Sequence, residues 1–483
     1  MNWALLLPGY LVTGLAFGAF TLDLIVPRLS RTVLVYGGAA VMAAVSVFIV
    51  LTNDGESSRF AGGILIFDTY SAFFFALFVI LAAVTILGSA QFVRSIDSPG
   101  EFVALLMMAT VGAMGMAAAG ELITAYISLE LLSFSLYILA SYTWRERRTN
   151  EAGMKYILLG AIASAFLLLG ITYIYGLTGD TRYDQVASGL SALSPSPGLI
   201  IALAMLTAGL GFKVAAVPFH MWTPDVYEGA PIPITAYLAA ASKAAGFALL
   251  IRLVAVALEP VALFWDWVFI LLAVLSMMLG NLVAILQSNL KRLMAYSSIG
   301  QVGYLLLGIA ALGADDPTKP IAGMLIHSVS YAASTMVAFM VLLAVWHQTG
   351  KEGVRDLAGM ARRNPFLALA LTGALFSLAG FPFFVGFASK FYLFTVIATA
   401  GSRFLVPVGI AIFASLISLY YYLNIVRQMY IEQPEDGAEP IRVSRTMWLL
   451  ILGLLLTIVA GGLYVRPLAE AAESAAASIF AGA

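Results

Sequence analysis

The sequence contains no cysteine, and only 11% of its 483 residues are charged, compared with the about 25% that is usual in soluble domains. Without thiolate ligands the chain cannot hold an iron–sulfur cluster or a Cys-ligated zinc ion, and it forms no disulfide. The net charge of −1 provides no bulk attraction for nucleic acid, which we do not expect as a partner. Redox chemistry, if the protein takes part in any, is therefore expected in a partner protein.

The sequence is instead rich in apolar residues, which make up 61% of it and give a mean hydropathy of +0.97. Runs near the roughly 20 residues needed to span a bilayer recur along the chain. We predict an all-α polytopic membrane protein, one membrane domain over residues 1–483, surrounded by lipid. The N-terminal run lacks the basic segment of a signal peptide, so we interpret it as the first helix. The fourteen predicted spans are 3–26, 32–51, 66–90, 102–118, 120–143, 154–176, 198–229, 231–256, 261–285, 290–311, 319–346, 366–399, 403–430 and 446–465.

Two predicted spans, the seventh and the twelfth, are longer than the hydrocarbon layer requires, and each contains an internal proline, Pro218 or Pro382. Proline removes a backbone donor, so we predict that helices 7 and 12 are broken. Helices 4 to 8 and 9 to 13 share this layout. Because five is an odd number, the two units must run in opposite directions, as inverted repeats do in many transporters. The predicted parts are helices 1 to 3 (1–101), the first repeat (102–256), the second repeat (261–430), and helix 14 with the tail (446–483).

Basic residues are unevenly distributed between the loops. The loops after odd-numbered spans contain Arg28, Arg31, Arg94, Arg145, Arg147, Arg148, Lys155, Lys291, Arg292, Lys351, Arg355, Arg362, Arg363, Arg427, Arg442 and Arg445. The loops after even-numbered spans, with the tail, contain Arg59, Arg182, Arg252, Lys319, Arg403 and Arg466. Loops rich in Lys and Arg stay in the cytoplasm, so we predict that the odd-numbered loops are cytoplasmic and that both termini face the other side.

Four ionisable residues, Glu130, Lys213, Lys243 and Lys390, lie deep within predicted spans. Each costs roughly 2.5 to 3.5 kcal/mol on insertion scales, so such residues are normally retained for an ion or proton path. We predict that Glu130 and Lys213 form a pair whose separation controls the uptake and release of a proton. The alternatives are a fixed ion pair between helices and, for Lys243, a structural hydrogen bond.

Two histidines and one tryptophan also stand out. His220 follows Pro218 closely and His327 lies in the middle of helix 11, and the near-neutral pKa of histidine suits a proton relay. A structural hydrogen bond is an equally good interpretation of both. Trp222 lies beside the predicted helix break, whereas the other tryptophans fall near helix ends, as in an interfacial belt. Asp68, near the end of a span, is expected to be exposed at the interface.

Three segments closely resemble the antiporter-like membrane subunits of respiratory complex I: SLELLSFSLYIL, GFKVAAVPFHMWTPDVYEGAPIPITAYLAAASK and GNLVAILQSNLKRLMAYSSIGQVGYLLLGIAAL. The resemblance covers roughly residues 100 to 430. It implies a fourteen-helix proton-translocating subunit in which Glu130 and Lys213 are the helix 5 and helix 7 pair. Lys243 then matches the central relay lysine, and Lys390 the lysine towards the exit side. His327 is a weaker match, because related subunits have a lysine where this chain has Tyr331.

The resemblance also implies the surroundings of the chain. Other membrane-arm subunits are the expected partners, and flavin, iron–sulfur clusters and quinone are expected in partner subunits, with no cofactor in this chain. The expected location is a bacterial plasma membrane. The sequence departs from the family at FPFFVGF, which has Pro382 where two successive prolines are usual, and at Gln301, where some members have histidine. Two other functions stay open: an Mrp-like cation/proton antiporter subunit without redox partners, and a structural spacer.

Overall fold

The computed structural model describes residues 3–26, 31–194, 196–314, 316–434 and 438–481. Arg28 and part of the longest hydrophilic stretch, 435–437, lie outside the described residues. Within the described part, thirteen helices are long and apolar enough to cross a membrane, and two shorter apolar helices follow one another as halves of a further span. The prediction of an all-α polytopic membrane protein with fourteen spans is confirmed.

The helices are numbered α1 to α15 in chain order, with the halves of the broken ones marked a and b. They are α1 Leu7–Ile25, α2 Val33–Thr52, α3 Thr69–Gly88, α4 Pro99–Ala118, α5 Leu122–Ala140, α6 Arg147–Thr178, α7a Pro197–Val214, α7b Trp222–Gly229, α8 Ile232–Ala257, α9 Ala262–Ala284, α10 Leu290–Ala310, α11 Thr318–Thr349, α12a Pro365–Ala379, α12b Val385–Thr399, α13 Leu405–Tyr430, α14 Arg445–Leu463 and α15 Arg466–Ala481. Short helical turns lie at Trp3–Leu6, Phe92–Arg94, Tyr183–Ser191, Glu259–Val261, Ala311–Gly313, Arg355–Leu357, Met360–Arg363 and Ser402–Phe404. Two strands, β1 Ser58–Phe60 and β2 Leu65–Phe67, form an antiparallel hairpin between α2 and α3.

Loops of the same parity meet at the same end of the bundle. At one end, Arg148 at the start of α6 pairs with Glu228 of α7b at 2.8 Å, and Lys291 of α10 pairs with Glu352 after α11 at 2.8 Å. At the other end, Arg59 pairs with Asp184 at 3.2 Å, which joins the loops after α2 and α6. We call these ends the odd-loop face and the even-loop face.

Both predicted helix breaks are present. α7a ends at Val214, Ala215 turns to φ 65°, and the irregular segment 215–221 contains Pro218. α12a ends at Ala379, and Gly380 (φ 86°) and Phe383 (φ 74°) turn the chain on either side of Pro382. A second irregularity lies in α8, which contains π-helical stretches at Leu238–Ser242 and Leu253–Ala257. Each break leaves backbone carbonyls without helical partners inside the protein.

The expectation that Asp68 is exposed is wrong, and so is the grouping of Arg252 with the loops. Asp68 is 3% exposed and Arg252 is 1% exposed, inside α8. The Arg252 guanidinium donates two hydrogen bonds to the Asp68 carboxylate, both 2.8 Å long, and its Nε donates to the Ala117 carbonyl at 2.9 Å. Asp68 also accepts a bond from Ser71 N at 2.8 Å, which caps the first turn of α3. A guanidinium at this depth needs such a partner, because it stays charged.

The predicted tail after helix 14 forms a further helix, α15, which packs on α3 and α11. Its buried face is made of small residues, Ala472, Ala475 and Ala476, together with Ile479. Tyr70 N, at the start of α3, donates a 3.0 Å hydrogen bond to Ser478 Oγ of α15. The helix therefore lies against the even-loop end of the bundle, where α3 and α11 begin.

Candidate functional site

Lys213 is the last charged residue of α7a, immediately before the break, and it is 4% exposed. Its Nζ donates a 3.0 Å hydrogen bond to Ser133 Oγ of α5. Glu130 lies three residues before Ser133, one turn away on the same side of α5, and accepts a 2.6 Å hydrogen bond from Ser164 Oγ of α6. Among the contacts of the described residues, Glu130 and Lys213 form no direct ion pair. Ser133 Oγ, which accepts from Lys213, donates in turn to the Leu129 carbonyl at 2.7 Å.

Lys243 lies beside Lys213, on the neighbouring helix α8. The two helices approach closely at Gly246, where a Cβ atom would lie 3.4 Å from Lys213 Cγ and 2.8 Å from Val214 Cγ1. Lys243 is one turn before Gly246, directly after the first π-helical stretch, and is buried. Its Nζ donates a 2.5 Å hydrogen bond to Ser298 Oγ of α10 and lies 5.8 Å from the centre of the Tyr227 ring.

Lys390 occupies the second break. Its Nζ donates to the carbonyl oxygens of Leu378 (2.7 Å) and Ala379 (3.1 Å) and to Ser415 Oγ (2.9 Å). The two carbonyls belong to the last turn of α12a, whose C-terminal groups the break leaves without helical donors. The ammonium group also lies 4.9 Å from the centre of the Tyr304 ring, a cation–π distance. The break in helix 12 therefore builds the site of this lysine.

The two predicted histidines lie in different places. His327 is buried next to Lys390: its Nδ1 lies 3.1 Å from Ser389 Oγ, and its ring meets the Tyr304 ring edge to face at 6.1 Å. His220 is half-buried in the break of helix 7, two residues after Pro218. Within the described residues, His220 Nδ1 and His327 Nε2 are both buried without a hydrogen-bond partner in the protein.

A row of polar side chains on α10 connects Lys243 with Lys390. Ser298 accepts from Lys243, and Gln301, one turn later, donates a 3.0 Å hydrogen bond to the Leu378 carbonyl that also accepts from Lys390. Tyr304, a further turn along, faces Lys390. From the sequence, Gln301 is predicted only as a departure from the family pattern, and Ser298 is not predicted at all. Polar residues at positions i, i+3 and i+6 of an apolar helix were the available signal.

Several buried polar atoms on α10 and on the helices beside it form no hydrogen bond of good geometry with protein in the described part of the chain, although other polar side chains lie near them. They are Tyr227 Oη, Tyr331 Oη, Thr335 Oγ1, Tyr304 Oη and Gln301 Oε1. Buried polar groups are nearly always satisfied, and ordered water is the usual partner where protein supplies none. The row is therefore suited to a chain of water molecules and side chains that conducts protons.

A charged cavity of about 280 Å³ opens at the odd-loop face near the end of α7b. Its lining includes Arg148, Glu228, Lys291 and Glu352. Buried Lys291 donates a 3.2 Å hydrogen bond to the Ala230 carbonyl. Thr235 Oγ1 donates towards the same carbonyl at 3.4 Å and towards the Tyr227 carbonyl at 3.2 Å. Polar groups thus continue from this cavity to Tyr227, whose ring faces Lys243.

Comparisons with known proteins show the family and the fold of the chain. Residues 119–418 match the family model described as NADH:quinone oxidoreductase/Mrp antiporter, transmembrane. The NADH-quinone oxidoreductase subunit N of Moorella thermoacetica is 39% identical over 480 residues, which cover 99% of both chains. A chain of respiratory complex I from Thermus thermophilus is 31% identical with a TM-score of 0.82, over 97% of this chain and 99% of that one. A chain of the Mrp complex from Dietzia sp. has the same fold, with a TM-score of 0.86 at 22% identity over 99% and 98%.

Proposed function

We propose that protons cross this chain along the axis from Glu130 to Lys390. The chain belongs to the family of NADH:quinone oxidoreductase and Mrp antiporter transmembrane subunits and is a relative of subunit N. It is therefore a proton-pumping membrane subunit of a complex I-type oxidoreductase. The chain works within a multi-subunit membrane arm. The observation that carries the proposed path is the α10 row of Ser298, Gln301 and Tyr304, which links the sites of Lys243 and Lys390.

The proposed cycle is electrostatic. A signal from a neighbouring subunit changes the charge or position of Glu130, which alters the proton affinity of Lys213 through the α5 side chains between them. The proton passes to Lys243 at the close contact of α7a with α8, and then along the α10 row to Lys390. His327, next to Lys390, takes part in release, and His220 takes part in transfer at the first break. The charged cavity at the odd-loop face leads towards Tyr227 and Lys243, and a proton that enters there reloads the neighbouring pair Lys243 and Lys213 after the previous proton has left for Lys390.

The surroundings complete the proposal. The odd-loop face lies on the cytoplasmic side of a bacterial plasma membrane, because most basic loop residues are there, and both termini face the opposite side. Flavin, iron–sulfur clusters and quinone bind to partner subunits, since this chain offers no cysteine ligand and carries only the proton path. The two repeats, 102–256 and 261–430, each supply one broken helix with its lysine to a single membrane domain.

The test is redox-driven proton pumping by vesicles that carry the whole complex with Lys213→Ala, with electron transfer to quinone followed in the same sample. We expect both rates to fall while the complex still assembles. Lys319→Ala is the matched control, because Lys319 is 66% exposed at the even-loop face and lies off the axis. Unchanged pumping and electron transfer in Lys213→Ala would contradict the proposed path.

A second candidate, a cation/proton antiporter subunit without redox partners, is favoured by one observation, the shared fold with the Mrp complex. It would use the same lysines. Purification of the chain from its native membrane separates the two functions, because a complex I-type assembly brings flavin and iron–sulfur absorbance with it and an antiporter complex does not.

A further inference from the structure

The side chain of Trp222 is hydrogen-bonded to the backbone of Phe212, the residue that precedes Lys213. The indole lies at the start of α7b and is 3% exposed. Its Nε1 donates a 2.9 Å hydrogen bond to the carbonyl oxygen of Phe212, in the last turn of α7a. The same oxygen accepts a 3.1 Å bond from Ala215 N. The indole therefore crosses the break in helix 7 and ties the beginning of α7b to the end of α7a.

Through two tyrosine rings, the indole of Trp222 is also in contact with α5, the helix that carries Glu130. The Trp222 ring stacks on the Tyr156 ring of α6, with centroids 4.6 Å apart and planes 11° apart. Tyr156 in turn meets Tyr137 of α5 edge to face at 4.6 Å. Tyr137 lies two helical turns after Glu130 and about one turn after Ser133, on the same side of α5. These three rings, Trp222, Tyr156 and Tyr137, thus lead from the residue beside Lys213 to α5. That helix also carries Ser133, which accepts the hydrogen bond from Lys213.

We propose that Trp222 is a positioning residue for proton transfer, which holds the end of α7a so that the Lys213 ammonium stays within hydrogen-bond distance of Ser133. This inference rests on the proposed function of Lys213. A helix that ends inside the membrane has carbonyls without intrahelical donors, and it frays unless other donors satisfy them. The Phe212 carbonyl next to Lys213 also accepts from Ala215 N, but the indole N–H is the donor that comes from α7b, so its loss leaves this end of α7a held only by its own terminal turn.

The experiment uses the assembled complex in vesicles. Trp222→Phe removes the N–H donor and part of the stacked area. Replacement of Trp222 by 3-benzothienylalanine keeps the bicyclic shape but has sulfur in place of the indole nitrogen, so it isolates the hydrogen bond. The matched control is Trp265→Phe. Trp265 is also 3% exposed, and its Nε1 donates a 2.9 Å hydrogen bond to a backbone carbonyl, that of Leu258, at the even-loop end of α8.

Two quantities are measured: pumping turnover per assembled complex, and its pH profile. We expect both changes at Trp222 to lower the turnover about fivefold, the equilibrium factor of one net hydrogen bond, and to move the pH profile. Trp265→Phe loses the same kind of bond and should leave the profile in place. A purely structural role of Trp222 would change the yield of complex without moving the profile.

Two outcomes would refute the role of Trp222. An unmoved pH profile and unchanged turnover with 3-benzothienylalanine at position 222 would overturn the inference, as would an equal effect of Trp265→Phe. If Trp222→Phe fails to assemble, the isosteric replacement still gives the answer. Lys213→Ala in the same preparation separates the two proposals: if it abolishes pumping while the Trp222 changes do nothing, only the role of Trp222 is refuted.

Discussion

The ion pair between Asp68 and Arg252 should dominate the stability of the even-loop end of the bundle. Both side chains are 1% exposed, and they share two hydrogen bonds of 2.8 Å. The Arg252 guanidinium also lies 4.7 Å from the centre of the Tyr70 ring, and Tyr70 Oη donates to the Ala248 carbonyl at 2.8 Å. Three contacts therefore join α3 to α8 within a few residues, and Asp68 takes part in the strongest of them.

Asp68→Asn removes the carboxylate charge but leaves an oxygen that can still cap α3, since Asn is a good N-cap residue. What remains is a buried guanidinium without its counter-ion. Loss of one member of a buried pair typically costs about 3 to 5 kcal/mol, and we expect the lower end, about 3 kcal/mol, because the amide oxygen can still accept one bond from Arg252. At about 1.4 kcal/mol for each factor of ten, that is roughly a hundredfold change in the folding equilibrium.

The assay is the fraction of the chain that stays in soluble, assembled complex after heating at a fixed rate, because unfolding of such an assembly is irreversible. Asp97→Asn is the control. Its partner is Arg145 at 3.1 Å, but the two side chains are 74% and 71% exposed, so its loss should cost less than about 1 kcal/mol. The double change Asp68→Asn with Arg252→Met should recover part of the loss, since no uncompensated charge remains. If Asp68→Asn lowers thermal resistance no more than Asp97→Asn, the reasoning is refuted.

Two further predictions concern proton binding. Lys213→Arg should abolish pumping although it keeps the positive charge, because a guanidinium does not release its proton at physiological pH; retained pumping in vesicles would contradict a proton-carrying role. In the loop after α6, hydrogen bonds from the Arg182 guanidinium and, after it, from the backbone N–H groups of Arg182 and Thr181 lower the pKa of Asp180 from 3.8 to about 2. Carbodiimide reacts with the protonated carboxyl, so labelling of Asp180 should begin only near pH 2 in the parent protein and at a higher pH in Arg182→Ala, which loses the guanidinium but keeps the backbone bonds. Identical labelling curves would show that the pair does not form.

Much of the fold could be predicted because its signals are local. The apolar runs predict the spans, and Pro218 and Pro382 mark the two breaks, since a missing backbone donor acts at its own position. Charge in an apolar run is equally local, which is why Lys243 and Lys390 could be identified without a structure. The length of the seventh and twelfth spans and the position of their prolines are sufficient to predict that these two helices are broken.

Distances between helices could not be predicted in the same way. Asp68 and Arg252 are 184 residues apart, and each alone looks like an ordinary residue near a span end. Nothing in the sequence says that Ser133, rather than Glu130, accepts the hydrogen bond from Lys213. The alanine-rich segment Arg466–Ala481 did carry a local signal, its high helix propensity, but its short apolar stretches led us to predict a tail.

The contact between the two ends of the chain has a consequence for biosynthesis. Tyr70 N donates to Ser478 Oγ across 408 residues of sequence. Translation proceeds from the N-terminus, so α3 is made long before the serine that completes its first turn. Until α15 arrives, that N–H group can bond only to water or lipid headgroups at the membrane surface. The packing at the even-loop end of the bundle is therefore completed last. A chain truncated before α15 contains helices α1 to α14, but the N–H group of Tyr70 at the start of α3 lacks its partner Ser478.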